Sequence, residues 1–428
     1  METAGEVVVV ATVGTGRDRR DIAKAIAFSI DRHKAERAVF LCSGKTRDET
    51  VPCILEILGW PSDRYRVDVC ANEDDVQDLF VEWNQRWDDW FGRWPDAEAV
   101  VDFTTGTKPM SAAAVLLALA RNARAVSYVV GERDTTGRVT RSTDVRSISP
   151  NQVVAHRELR RAVEHFHAGN YAAARDIAAP YRKIDCVSDE QLRAIALSVH
   201  SIADAYEAWD RFDYKAAAHA LRQSERNWTR WTWVEDTSRL KGNKALVKDI
   251  CENSKPNQPT PALAADLLAN ADRCMKRSDW DDAVARLYRA CEMLAQLRLW
   301  HTHKQKTGDV DPSRLPESIR AAYTDRKGHA EDGKCKVGLF EAYELLERLG
   351  DDLGTEFVKR YRVGDKPGEL KNLLGVRNNS LLAHGTAPIS GKNAQRLWTQ
   401  LKELAAVADP AILNEWFPKC ALIRFKNF

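Results

Sequence analysis

The chain has almost no excess charge: 64 Lys and Arg stand against 62 Asp and Glu in 428 residues. A balance of this kind creates no long-range field for gathering nucleic acid or a membrane surface, so any basic binding face must be local. Its nine cysteines, Cys42 to Cys420, include no CxxC pair and no zinc-knuckle spacing. That excludes a sequence-readable structural metal and a disulfide framework, and it fits reduced thiols in a cytoplasmic protein. No apolar run approaches the ~20 residues that span a bilayer, and no charged-then-apolar leader opens the sequence, so a soluble chain without membrane contact is expected. Two phosphate-loop signatures are also incomplete. GTGRDRR, from Gly14, lacks the third glycine of GxGxxG, and SGKT, from Ser43, lacks the leading glycine of GxxxxGK[ST] because position 39 is valine. Both a dinucleotide-dependent enzyme and a Walker-type ATPase are poor readings of this chain.

What is present begins with length. A chain of 428 residues exceeds what one hydrophobic core usually serves, so two or three domains are expected. Residues 7–150 alternate β-branched apolar runs with amphipathic helical segments. The runs are VVVVATV (7–13), AVFLCS (38–43), YRVDVC (65–70), AVVDFT (99–104) and AVSYVVG (125–131). Near-continuous apolar strands are those covered by helices on both faces, which predicts a parallel, doubly wound, Rossmann-like α/β domain over residues 1–150. GERDTTGRVTRS follows the fifth run, and its Gly137 and polar tip predict a turn into an antiparallel edge strand.

From His156 onward only helical spacing remains, interrupted by KPNQPTP at 255–261. This predicts an all-α remainder in two parts, a helical linker over 151–255 and a C-terminal helical domain over 256–428. One local pattern recurs, Asn170-Tyr171-x-x-Ala174, Asp213-Tyr214-x-x-Ala217 and Asp279-Trp280-x-x-Ala283. Each reads as the turn and second-helix start of a helical hairpin, and their uneven spacing does not support a tetratricopeptide array. Trp83, Trp87, Trp90 and Trp94 form one helical stripe. Without interleaved Lys or Arg, it reads as core packing or a subunit contact rather than a base-stacking platform.

Two stretches carry chemistry. In VVDFTTGTKPMSAAAV (100–115), a strand ends in Thr104, Thr105, Gly106, Thr107 and Lys108 and restarts as a helix at Pro109. Hydroxyls, a glycine and a cation at a strand's carboxyl end, beside a helix N-terminus, suit an anionic ligand. An ordinary N-capped turn is the alternative. The turns after the first two strands, Gly14-Thr15-Gly16-Arg17 and Ser43-Gly44-Lys45-Thr46, are expected to meet the same crevice and carry the same alternative.

The second stretch is VRNNSLLAHG (376–385). On a continuous helix Arg377 and His384 project from one face about 10 Å apart along the axis, with Asn378 beside the arginine and Gly385 as a helix stop. Arginine neutralises a scissile phosphate and histidine moves a proton near neutral pH, enough for metal-free RNA cleavage. Since about 10 Å is wide for one phosphate, a two-fold axis that brings in a second copy of the pair predicts a homodimer. The alternative is a capping histidine at a helix C-terminus with a surface arginine. His301 and His303 have no carboxylate or cysteine cluster nearby in sequence and read as a solvated loop.

DFTTGTKPMSAA resembles the signature turn of CARF domains, Rossmann-like sensors of cyclic oligoadenylate, and RNNSLLAHG resembles the R-x4-6-H motif of HEPN ribonucleases. The segment SDWDDAVARLYRACEMLAQLRL (278–299) is similar to the first long HEPN helix of one subfamily. Together they resemble the CARF-HEPN effector ribonucleases of type III CRISPR antiviral defence. The resemblance implies a cyclic oligoadenylate of four or six adenylates as allosteric activator, held across a CARF dimer axis by the Thr104–Lys108 turn and Gly14–Gly16. It implies no other cofactor, no metal, no DNA partner and a single-stranded RNA substrate. Arg377, Asn378 and His384 of two chains would form one site, where the RNA 2′-hydroxyl attacks the adjacent phosphate to leave a 2′,3′-cyclic end. Slow cleavage of the activator by the CARF domain is a further implication. The competing readings are a non-catalytic nucleotide-sensing adaptor and a CARF transcription regulator, for which the C-terminal segment shows no basic recognition helix.

Overall fold

The computed structural model of the protein describes residues 6–16, 18–133, 139–183, 187, 189–225, 231–253, 258–380 and 385–426. The chain divides into two compact units, Met1–Leu159 with Pro180–Ala196 and Arg160–Ala179 with Leu197–Phe428.

The first unit is built on the five expected strands: β1 (Val7–Thr12), β2 (Arg37–Cys42), β3 (Tyr65–Val69), β4 (Glu98–Asp102) and β5 (Ala125–Arg133). They pair in parallel in the order β3-β2-β1-β4-β5. A sixth, β6 (Val139–Ile148), runs antiparallel along β5, as expected; Gly137, the expected turn, lies outside the described residues. Helices α1 (Arg19–Arg32), α2 (Gly44–Glu49), α3 (Val51–Leu58), α4 (Val76–Phe91) and α5 (Lys108–Ala120) make the connections.

Alternation along β1 shows why both faces must be covered. Val8 and Val10 pack with the α4 and α5 side, while Val7, Val9 and Ala11 pack with Ala23, Ile26 and Ile54 of α1 and α3. The four tryptophans belong to the first of these clusters, and none is more than 8% exposed. They are core, and Trp90 Nε1 donates to Asp68 at 2.9 Å. Strand order reverses between β1 and β4, so the crevice of this sheet opens beyond their carboxyl ends.

The helical remainder comprises α6 (Pro150–His167), α7 (Tyr171–Ala178), α8 (Glu190–Asp210), α9 (Tyr214–Ser224), α10 (Ser238–Asn253), α11 (Pro261–Lys276) and α12 (Trp280–His301). It continues with α13 (Glu317–Gly328), α14 (Leu339–Arg348), α15 (Asp352–Tyr361), α16 (Glu369–Asn378) and α17 (Gly391–Ala408). A small hairpin, β7 (Arg362–Val363) with β8 (Lys366–Pro367), separates α15 from α16. No helix among the described residues is long and apolar enough to cross a membrane.

The recurring Asn/Asp-aromatic-x-x-Ala pattern marks second-helix starts, with Asn170, Asp213 and Asp279 as the N-caps of α7, α9 and α12. In the second hairpin the pattern's tyrosine and a tryptophan of the preceding helix both tether to α11. Tyr214 donates to the fully buried Asp266 of α11 at 2.7 Å, and Trp209 Nε1 donates to the same carboxylate at 2.9 Å. Burial pushes the Asp266 carboxyl up, while Arg273 and these two donors oppose that rise. A close helix crossing occurs at Gly354, where an added Cβ would lie 2.2 Å from the backbone nitrogen of Glu347. Gly354→Ala is therefore expected to lower stability by about 1–3 kcal/mol, the usual cost of overpacking. Denaturant unfolding that shows no loss would contradict this packing of α14 on α15.

Candidate functional site

The first candidate site gathers at the β1/β4 switch point. Asp102, 1% exposed, ends β4 and accepts from Ser29 Oγ of α1, from Ser127 Oγ of β5 at 3.1 Å and from the Thr104 backbone N–H at 2.8 Å. This carboxylate fixes where the following turn begins. Thr12 and Thr105 then exchange hydroxyl-to-carbonyl hydrogen bonds, and Gly14 N–H donates to Thr105 Oγ1 at 3.2 Å. The β1 and β4 turns are stitched together so closely that a Cβ on Gly14 would lie 2.6 Å from the Gly106 nitrogen. Gly106 has φ of +93°, a conformation that glycine adopts freely. On the other flank Thr50 Oγ1 donates to the Gly14 carbonyl at 3.1 Å.

The hydroxyls have different duties from those their number implied. Thr105 is buried and spent on β1. Thr107 is the N-cap of α5, accepting from Met110 N–H at 3.2 Å and donating to the Glu73 carbonyl at 2.8 Å. The helix accordingly starts at Lys108, with Pro109 in its second position. Ser43 is buried in a reciprocal capping box with Thr46 at the start of α2. Thr104 Oγ1 accepts from Val129 N–H at 2.8 Å, and among the described residues its own proton has no acceptor. What faces outward is therefore mostly backbone and cation. Gly16, Gly44 and Lys108 are exposed, and Gly14 and Thr15 are half-buried. Arg17 lies outside the described residues.

The second candidate site differs from its expected geometry. Helix α16 stops at Asn378 with Asn379 as its C-cap, so Arg377 occupies the last turn and no continuous helix runs to residue 384. Beyond it, Ser380 N–H bonds to the Arg377 carbonyl at 3.2 Å, and Ala387 N–H returns to the Asn379 carbonyl at 3.3 Å. Gly385 is thus a close backbone crossing, not a helix stop: a Cβ there would fall 2.0 Å from the Asn379 oxygen. The Asn379 N–H closes the helix on the Gly375 carbonyl at 3.2 Å, where the apolar spacing alone would continue it. His384 lies outside the described residues.

Arg377 is half-buried, with its guanidinium carbon 5.2 Å from the ring centroid of Tyr288 on α12 and Nη1 donating to Asn378 Oδ1 at 3.3 Å. Burial, reinforced by Glu292, pushes the Tyr288 phenol up, so this ring is neutral under the arginine. No carboxylate pairs with Arg377 among the described residues. Its charge and remaining donors are available to an anion.

Other polar clusters are committed elsewhere. His303, expected in a solvated loop, instead bonds Asp351 at 2.9 Å, which also takes Arg298 at 2.8 Å. Burial pushes the Asp351 carboxyl up, but hydrogen bonds from His303 and Arg298 hold it below the ordinary value. This is a clasp between elements that sequence distance concealed. A cavity of about 510 Å³ beside Phe166 and Tyr171 is lined by Arg273 and Arg277, yet both already pair with Asp210. Among the described residues no group of three or more His, Cys, Asp and Glu side chains is placed to hold a metal.

Residues 252–408 match the family described as Csm6 HEPN domain. The whole chain is similar in structure to Enterococcus italicus Csm6 bound to cyclic hexa-2′-fluoro-hexa-dAMP, with a TM-score of 0.65 and 12% identity over 97% of each chain. No curated protein matches the chain in sequence. The HEPN match includes α16 and its Arg377, and in sequence it follows the Rossmann-like sheet. Residues 252–408 thus match a Csm6 HEPN segment, and the chain as a whole has the fold of that Csm6.

Proposed function

We propose that this protein is a cyclic-oligoadenylate-activated, metal-independent endoribonuclease that cleaves single-stranded RNA in antiviral defence. Residues 1–150 act as the sensor, 151–255 as the link and 256–428 as the ribonuclease, in a cytoplasmic homodimer. The observation that carries the reading is Arg377, which lies inside the matched HEPN segment on an aromatic face, with no carboxylate partner among the described residues.

In the proposed reaction the substrate's 2′-hydroxyl attacks its own 3′-phosphate. The 5′-oxygen of the next nucleotide leaves, giving a 2′,3′-cyclic phosphate and a 5′-hydroxyl. His384 takes the 2′-hydroxyl proton or supplies one to the leaving oxygen, and the partner copy's histidine serves the other role. Arg377 neutralises the charge that builds on the pentavalent phosphorus, and Asn378, exposed beside it, orients phosphate or guanidinium. No step in this chemistry requires a metal. Activity is accordingly expected to survive EDTA, with every new 5′ end open to phosphorylation by a kinase; loss of cleavage in EDTA would contradict the mechanism.

At the sensor, the ring phosphates meet the backbone of Gly14–Gly16, Ser43, Gly44 and the Thr104–Lys108 turn, with Lys108 as the cation and Thr104 as a hydroxyl donor. The committed hydroxyls of Thr105 and Ser43 shape this crevice rather than reach into it. The ligand in the Enterococcus italicus Csm6 structure is a cyclic hexanucleotide, so rings of six and four are both to be titrated. Activation requires that the ring bind one dimer arrangement more tightly than another.

A further inference from the structure

Cations around α16 are mostly cancelled by neighbouring carboxylates. Arg360 pairs with Glu356 at 3.3 Å and also with Glu403, Arg396 pairs with Glu369 at 2.6 Å, and Arg362 sits 3.6 Å from Glu344 and 3.8 Å from Glu347. Two α16 cations depart from this pattern. Arg377 lies on Tyr288, and Lys371 Nζ lies 5.7 Å from the ring centroid of Tyr361. Neither has a carboxylate partner among the described residues, and Lys371 is exposed.

The Tyr361 ring is itself fixed from below. It stacks on Phe340 at 4.4 Å and on Phe357 at 5.3 Å, and Phe357 stacks in turn on the fully buried Tyr343 at 3.7 Å. This column anchors a ring face at the surface, and that face orients an ammonium without neutralising it. A carboxylate partner would cancel the charge; a tyrosine face leaves it whole for a stronger anion. Both cations sit on one helix, six residues apart, about 9 Å along its axis and about 120° around it, so a single strand crossing α16 meets them at phosphates that are not adjacent.

We propose that Lys371, seated on Tyr361, is a second phosphate-binding subsite for the RNA substrate, holding the strand further along its backbone from the phosphate that Arg377 engages. The contact is with backbone, so it adds affinity without base preference. This inference rests on the ribonuclease reading, and its test separates the two.

Binding of a fully 2′-O-methylated single-stranded RNA, which offers no attacking hydroxyl, is to be measured by fluorescence anisotropy across a salt series. Wild type is compared with Lys371→Ala and Lys371→Arg. One phosphate contact on a single strand contributes about 0.7 to the slope of log K against log salt. Lys371→Ala is expected to lose about that much slope and several-fold in affinity, and Lys371→Arg to retain both. The activator concentration for half-maximal cleavage should be unchanged in Lys371→Ala, because the sensor is untouched. Unchanged slope and affinity in Lys371→Ala, or no RNA binding by wild type, would overturn the proposal. RNA binding that depends on Lys371 without any cleavage by wild type would instead sink the ribonuclease reading and leave this subsite standing.

Discussion

Replacing Arg377 by alanine is expected to cut RNA cleavage by about 10²–10³-fold, the range found when a donor to a transition-state oxyanion is removed. The loss should fall on kcat more than on KM, because the arginine's tightest contact forms only as charge accumulates on phosphorus. Its position explains why little else should change. Arg377 lies in the last turn of α16, over the face of Tyr288, and no carboxylate depends on it among the described residues. Removing the guanidinium therefore leaves no buried charge unpaired, and the fold should hold. Arg377→Lys is expected to restore only part of the rate, since an ammonium cannot offer the planar fork. Full activity in Arg377→Ala would move the catalytic centre elsewhere.

The second large effect is expected at Gly14. A methyl group there would meet the Gly106 backbone nitrogen at 2.6 Å, and neither partner is a side chain that can swing away. Gly14→Ala must part the β1 and β4 turns, which breaks the bond from Gly14 N–H to Thr105 and spoils the crevice at the switch point. Response to cyclic oligoadenylate should be lost while the helical unit retains its circular dichroism. Lys108→Ala offers a gentler variant, because Lys108 is exposed and its side chain has no hydrogen bond or ion pair among the described residues. It should raise the activator concentration for half-maximal cleavage about tenfold, a low-end value for one charge-assisted contact. If both variants respond like wild type, the activator binds somewhere other than the β1/β4 crevice.

Much of the fold was legible because its central strands β1, β2 and β4 are buried on both faces. Such strands read as unbroken apolar runs, and the five runs correspond to β1 through β5. Hairpin starts were legible for a different reason: an Asn or Asp cap, an aromatic and an alanine state both where a helix begins and what it packs against. The sites were harder. Counting hydroxyls in TTGT cannot separate those that cap a helix or stitch strands from Thr104, whose proton has no acceptor among the described residues. The end of α16 was missed because helical periodicity continues past Asn378, while the close backbone crossing of Gly385 on Asn379 that follows it leaves no trace in spacing. Tyr288 under Arg377 and Tyr361 under Lys371 join residues far apart in the chain, and no spacing rule reaches across them.

The central claim is that a message bound at one end of the chain releases chemistry at the other. Cleavage of a fluorescent single-stranded RNA by wild type and by His384→Ala, each titrated with cyclic tetra- and hexa-adenylate, tests it most directly. The account predicts that wild type cleaves only when one of these rings is present and that His384→Ala does not cleave with either. Cleavage by His384→Ala equal to wild type, or wild-type cleavage indifferent to both rings, would contradict it.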